Sequence, residues 1–276
     1  METQADQSIR FQRFQHGGWE TVASRIVREA PVSLTVNGEV WLTFMCTPTD
    51  LKALAAGFLY NEGLLHSAAE IVDLSLCASG DNVDIWLDHG VERPKQWVRT
   101  TGCSGGVTAA RAPTRQAVLR EMPQLDPDQI GHWMGRLIEA QELYRTTRGV
   151  HSSALTDGGQ TWVQVEDIGR HNTLDKIAGR MLLEHLDLPR RILLTTGRIS
   201  SEMLQKSVRL ETPVIISRTS PNTLSIQTAA EAGVTLIGYA RRDQFQIYTH
   251  PERIAGAPRD SLVEPAAPYS DAGPVG

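Results

Sequence analysis

Three segments, Arg191–Thr196, Pro213–Ser217 and Val234–Tyr239, have continuous apolar centres, recur roughly 21 residues apart and are separated by stretches of helical spacing. A strand wetted on one face alternates apolar and polar side chains, so unbroken apolar strands that alternate with helices are parallel strands covered on both faces. Upstream, Asp126-Pro127 opens a helix whose Ile130, Trp133, Met134, Leu137 and Ile138 form one stripe. Strands follow at Val150–Thr156 and Thr161–Val165, joined through Asp157-Gly158-Gly159, and then a helix with Leu174, Ile177, Ala178, Met181 and Leu182 on one face. Further helices are expected from Ser200 to Arg209 and from Ser220-Pro221, and Phe245–Tyr248 adds a last strand. The order specifies an α/β fold, a three-layer sandwich around a mixed sheet, over residues 126–255.

A smaller, β-rich α+β body over residues 21–125 precedes it. Val32–Val36, Asn37-Gly38 and Val40–Met45 read as a hairpin with a two-residue turn. Thr47, Pro48 and Asp50 read as a capping-box start to a helix carrying Leu51, Leu54, Ala55, Phe58 and Leu59, which Gly63 ends. Strands near Ile71–Cys77 and Val83–Leu87 lead to Gln96–Thr100, and Ala109–Leu125, with Pro113 and Pro123, reads as the connection between bodies. Residues 1–20 are expected to be a mobile polar lead-in, and residues 256–276 a disordered tail with too little apolar surface to fold.

Nothing in the first residues resembles a secretory signal and no apolar run is long enough to cross a bilayer, so the cytoplasm is the expected compartment. Three cysteines at unrelated spacings do not make a disulfide framework, and a net charge of −5 argues against a general nucleic-acid binder. Zinc is not indicated, because no two cysteines lie close enough to supply a Pro-Cys-x-x-Cys pair. A homodimer is left open.

Ligands of open α/β sheets sit outside the carboxyl ends of the strands. Here each such end carries arginine: Arg198 after Gly197, Arg218 after Ser217, and Arg241-Arg242 after Ala240. The first two run toward helix N-termini, and together they read as a phosphate-binding edge suited to a nucleotide-like ligand. Any one of these arginines fits a solvated surface equally well. Glu166, Asp167, Arg170, His171, Asp175 and Lys176 crowd one strand end and helix start, with His151 upstream. The plain reading is capping by Glu166 or Asp167, exposed charge at Asp175 and Lys176, and structural histidines.

Cys103 stands apart. It lies in Thr100-Thr101-Gly102-Cys103-Ser104-Gly105-Gly106, a small-residue loop where successive backbone N–H groups would lower a thiol pKa. Composition alone leaves a tolerated turn cysteine and a reactive thiol equally open. Cys46 and Cys77 each end an apolar stretch and read as small buried hydrophobes.

Val36-Asn37-Gly38-Glu39, Met45-Cys46-Thr47-Pro48, Gly57-Phe58-Leu59, Thr101-Gly102-Cys103, Glu166 to Asn172, Ser200-Ser201-Glu202-Met203 and Tyr248-Thr249-His250-Pro251 together closely resemble the FdhD/NarQ family of formate dehydrogenase accessory sulfurtransferases. The resemblance implies a cytidine-deaminase-like fold without zinc chemistry. It implies a carrier that moves sulfur from a cysteine desulfurase to the molybdenum cofactor of formate dehydrogenase, molybdenum bis-molybdopterin guanine dinucleotide, with GDP-like nucleotides as mimics. It places the persulfide on Cys103 and cofactor binding on Tyr239, Ala240, Arg241, Arg242, Asp243 and Gln244, beside Arg198 and Arg218 of the arginine edge. Many members carry Cys-x-x-Cys where this chain has Cys103-Ser104-Gly105-Gly106, so a resolving thiol is missing at Gly106. Two rivals stand against the carrier: a non-catalytic chaperone that binds the molybdenum cofactor, and a small hydrolase built on His151 or His171 with Asp167.

Overall fold

The computed structural model describes residues 4–94, 97–99, 107–109 and 122–259. It begins with a hairpin of β1 (Asp6–Gln15) and β2 (Gly18–Val27), ten residues each and paired only with one another. The lead-in expected over residues 1–20 is therefore, from Asp6 onward, a strand ribbon. It turns at His16-Gly17, where φ is 51° and 81°, the left-handed pair that a two-residue hairpin turn requires. Its Gln, Arg and Ser content concealed it, since a ribbon exposed on most of its surface needs little apolar side chain.

The first body is a four-stranded sheet in the order β4-β3-β6-β5, made of β3 (Ala30–Val36), β4 (Glu39–Cys46), β5 (Ile71–Leu76) and β6 (Asn82–Leu87). The hairpin expected at Asn37-Gly38 forms, with φ of 49° and 83° at the two turn residues. One sheet face packs on α1 (Leu51–Asn61): Val32, Leu34, Val83 and Ile85 meet Leu54, Phe58 and Leu59, all buried. Each such side chain contributes about 1.5–3 kcal/mol relative to exposure. The capping box expected at Thr47 does not form. Asp50, in the left-handed region at φ 50°, is the N-cap and makes no side-chain cap bond. After β6 the chain enters β7 (Trp97–Arg99), which pairs antiparallel with β8 (Val107–Ala109).

The second body follows the expected order through α2 (Pro127–Glu139), an additional short helix α3 (Leu143–Thr147), β9 (His151–Thr156), β10 (Thr161–Asp167), α4 (Arg170–Leu183), β11 (Ile192–Thr195), α5 (Ser201–Arg209), β12 (Val214–Ser217), α6 (Thr223–Glu231), β13 (Thr235–Gly238) and β14 (Gln246–Ile247). The sheet runs β10-β9-β11-β12-β13-β14; β11, β12 and β13 are parallel, while β9, β10 and β14 join antiparallel. Leu193, Ile215 and Leu236 face a core shared with Leu174, Met203 and Ala229 of α4, α5 and α6. Their neighbours Ile192, Leu194, Val214, Ile216 and Ile237 face Ile130, Trp133 and Met134 of α2 on the other side. This is the three-layer sandwich with a mixed sheet, and it explains why the central strands carry no polar alternation.

Two expected boundaries shift. Leu125 bridges Ile254 and belongs to the second body, and α6 begins at Thr223 because Asn222 and Ser225 form its capping box. Most of the Ala109–Leu125 connection, and the tail from Asp260 to Gly276, lie outside the described residues. The bodies meet where α1 crosses α4 with backbones in contact. A Cβ on Gly57 would stand 1.8 Å from the Asp175 carbonyl oxygen, and one on Gly179 1.8 Å from that of Ala53.

Candidate functional site

The carboxyl ends of β11, β12 and β13 open side by side, and backbone bonds hold the following loops together. Arg218 N–H donates to Thr195 (3.0 Å), Ala240 N–H to Ser217 (3.0 Å) and Tyr239 N–H to Thr219 (3.1 Å). Arg198, Arg218, Arg241 and Arg242 are all exposed along this edge, as are Asp243 and Gln244. The loop from Tyr239 closes as a turn through Arg241 N–H to the Gln244 carbonyl (2.8 Å). Gly131 of α2 lets it approach, since a Cβ there would lie 2.1 Å from the Arg242 carbonyl oxygen. Tyr239 is 41% exposed whereas Ala240 is fully buried in the core with its N–H on the Ser217 carbonyl, so of the residues expected to bind cofactor Ala240 presents no accessible surface. The helix N-termini contribute less than expected: Ser200 takes the Met203 N–H of α5, and Asn222 that of Ser225 in α6.

Beside Arg218 the edge deepens into a cleft of 580 Å³ lined by Ile138, Gln141, Tyr144, Arg148, Gly149, Val150, His151, Thr196, Arg218 and Thr219. The α3 wall was not foreseen. A five-residue helix leaves no periodic signal, and this one is held from outside: Glu166 accepts the N–H groups of Glu142 (3.0 Å), Leu143 (2.7 Å) and Tyr144 (3.0 Å) as well as the Ser152 hydroxyl (3.1 Å). Burial lowers the His151 pKa, and the nearby charges of Arg170 and Arg198 lower it further while Asp167 opposes them. His151 lines the cleft.

Behind the edge lies a buried ionic network. Asp167 is fully buried, 2.7 Å from Lys176 Nζ, and accepts N–H bonds from Thr47 and Gly169 and an amide bond from Asn172. Lys176 also donates to the Thr47 carbonyl and Thr49 hydroxyl, both at 3.1 Å. Lys206 grips both oxygens of Asp175 at 2.7 and 2.6 Å, and Asn61 of α1 donates to the same carboxylate at 2.7 Å. Burial raises the Asp175 pKa, against the opposing pull of Lys206 and Asn61. Glu166 does satisfy helix N–H groups, but those of α3, while α4 has no side-chain cap and, of the N–H groups at its start, Asp167 takes only that of Gly169 before it; the expectation of exposed charge at Asp175 and Lys176 also fails, since they are 2% and 0% exposed. The charges are tolerated because each is paired and hydrogen-bonded. Thr47, Thr49 and Asn61 come from the first body, so this network joins it to the second.

The geometry does not favour the hydrolase alternative built on His171 with Asp167. His171 Nε2 lies 3.2 Å from Ser200 Oγ, but burial first, then Lys206 and Arg170, push its pKa down to about 3, too low for a general base at neutral pH. Asp167 is committed to Lys176.

Cys103 and Gly106 lie in the connection between β7 and β8, outside the described residues. Cys46 is fully buried, as expected, and burial pushes its thiol up to about 12. Cys77 is only half-buried: its Sγ sits in a surface turn 3.1 Å from Asp81 Oδ1 and accepts the Asn82 N–H. No helix among the described residues is long and apolar enough to cross a membrane.

The sequence model of the FdhD/NarQ family matches residues 27–255. The chain belongs to the FdhD/NarQ family. The sulfur carrier protein FdhD of Staphylococcus aureus strain MRSA252 is 34% identical over 248 residues, covering 88% of this chain and 94% of its own length. That of strain bovine RF122 / ET3-1 is 33% identical over 252 residues, with the same coverage of both chains. A crystal structure from Desulfotalea psychrophila, described as a formate dehydrogenase accessory protein, superposes with a TM-score of 0.75 at 27% identity, covering 91% of this chain and all of that one. The FdhD/NarQ assignment thus spans both bodies, the network between them and the arginine edge.

Proposed function

We propose that this FdhD/NarQ family member is a sulfur carrier serving a formate dehydrogenase. The observation that carries the reading is the continuous edge of Arg198, Arg218 and the Tyr239–Gln244 turn beside a nucleotide-sized cleft, in a chain whose relatives are named sulfur carriers. Arginine forks and threonine hydroxyls hold the guanine dinucleotide phosphates of the molybdenum cofactor, the substrate of the transfer. Cys103 is the sulfur-bearing residue. Its thiolate attacks the terminal sulfur of a desulfurase persulfide; the new S–S bond forms on Cys103 as the old one breaks, and the desulfurase cysteine leaves as thiolate. Cys103 then presents that sulfur to the bound cofactor. The reaction type is sulfur transfer, and the compartment is the cytoplasm.

Intact-mass measurement after incubation with a cysteine desulfurase and cysteine tests the reading. One sulfur is expected on the wild-type chain, mapping to Cys103, and none on Cys103→Ser. If Cys103→Ser still supports formate dehydrogenase maturation, the protein is a cofactor-binding chaperone and the carrier reading fails.

A further inference from the structure

We propose that the free edge of β10 is a docking site for an extended, basic segment of a partner protein, which joins the six-stranded sheet as an added strand.

β10 ends that sheet, and among the described residues no strand pairs with its outer side. Strand alternation fixes which backbone groups point there. Ser152 accepts the Thr196 N–H at its carbonyl and donates its own N–H to the Thr196 hydroxyl, so its backbone faces β11 and not β10. Ser152 lies opposite Glu166, and Ala154 opposite Gln164. These are therefore the non-hydrogen-bonded pairs of the β9–β10 ladder, and the N–H and C=O groups of Gln164 and Glu166 turn outward. Lys176 Nζ reaches the Glu166 carbonyl at 3.5 Å; the Glu166 N–H and both groups of Gln164 remain for an added strand.

An open groove of 660 Å³ runs along this edge, lined by Gln164, Val165 and Glu166. Consecutive strand residues point to opposite faces, so a groove that touches all three follows the backbone edge. Glu142, Leu143 and Thr146 form one bank, Thr49 and Asp50 the other. The cleft beside Arg218 is separate, since it meets α3 through Tyr144 and Arg148.

The walls set the charge of the occupant. Asp50, Glu142 and Glu166 line the groove, and no Lys, Arg or His does among the described residues. Glu166 is occupied by the N–H groups of α3. Asp50 and Glu142 are exposed, and although each stands at a helix N-cap, of α1 and α3, neither makes the side-chain cap bond. Arg180 feels the Asp50 charge but is bonded to Glu184, and Lys176 is buried against Asp167. Lysine or arginine side chains on the docked strand complement this groove. The chain's own last residues have the wrong sign, with Asp260, Glu264 and Asp271 and no cation after Arg259. In strand addition the main-chain bonds supply affinity and the side chains selectivity.

The test uses the full-length protein, amide hydrogen exchange and calorimetry with three capped octapeptides: alternating arginine and valine, alternating glutamate and valine, and the arginine–valine peptide N-methylated at every residue. In the free protein the Gln164 and Glu166 amides should exchange fast while Val165 is protected. The arginine–valine peptide at ten times its Kd should slow both amides about tenfold, as occupancy requires, and the other two should not. Asp50→Asn combined with Glu142→Gln should weaken that peptide at least about twofold, the lower end for two exposed ion pairs. Binding that leaves the Gln164 and Glu166 amides fast, or that the N-methylated peptide matches, is charge attraction without an added strand and overturns the proposal. Equal binding of the glutamate peptide, unchanged affinity in the double variant, or no binding of the arginine–valine peptide overturns it as well. If the two amides are already protected in the free protein, the edge is covered, by a second copy where protection falls on dilution and by this chain where it does not, and the proposal fails.

Discussion

Replacing Lys206 with methionine isolates the ionic network between the two bodies. Lys206 is 4% exposed and its ammonium is the cation nearest Asp175, 2.6 Å away, with Asn61 the other side-chain donor to that carboxylate. Methionine preserves most of the stem's volume and its packing on Phe58, over whose ring the ammonium lies at 5.6 Å. What changes is that a carboxylate 2% exposed loses its counter-charge. Breaking a buried pair from one side costs about 3–5 kcal/mol, most of it the uncompensated partner, and for a protein of this size that corresponds to a Tm lower by roughly 6–20 °C. Denaturant unfolding should show the midpoint fall with little change in slope. Adding Asp175→Asn to Lys206→Met should recover at least about 2 kcal/mol, because the amide is neutral and still accepts from Asn61. The pH dependence has a definite sign. Burial already raises the Asp175 pKa and Lys206 opposes that rise; without Lys206 the folded value climbs further above the unfolded one. A group shifted upward stabilises below its unfolded pKa and loses that contribution as pH rises through its folded pKa. The deficit of Lys206→Met should therefore be smallest in acid and grow toward neutral pH. A deficit independent of pH, or no recovery from Asp175→Asn, would refute a buried charge as the cause.

Thiol labelling of the folded protein should leave Cys46 silent, since burial holds its thiol near 12, while Cys77 in its surface turn reacts measurably and Cys103 fastest; modification of Cys46 before unfolding would contradict the packing. Gly179→Ala should cost more than the roughly 1–3 kcal/mol of ordinary overpacking, because its Cβ would stand 1.8 Å from the Ala53 carbonyl oxygen and neither helix has a side chain to yield; a fully stable variant by thermal melting would show that α1 and α4 can separate. Gly106→Cys should shorten the lifetime of the Cys103 persulfide and produce an internal disulfide visible by mass, since a neighbouring thiolate attacks a sulfane sulfur wherever it reaches one. An unchanged lifetime together with faster transfer would show that the missing thiol limits this chain.

Where interactions are local, the sequence of this chain determines its structure. Asn37-Gly38 fixes a turn because both residues tolerate positive φ, Asp126-Pro127 starts α2 because it caps and presets the first turn, and the continuous apolar strands state that both sheet faces are covered. The arginines after β11, β12 and β13 were legible as an edge because parallel strands place their carboxyl ends together. Only the tertiary structure decided which charges are buried. Asp175 and Lys176 look like surface residues until Lys206, Asn61 and Thr47 arrive from elsewhere in the chain, the last two more than a hundred residues away. The same holds for α3, whose first turn is held by a glutamate 22 to 24 residues downstream, and for Thr47, which forgoes a local cap to bind the Ile168 N–H across the seam. A side chain's partner in space sets whether its charge is solvated or paired, and no local pattern records that partner.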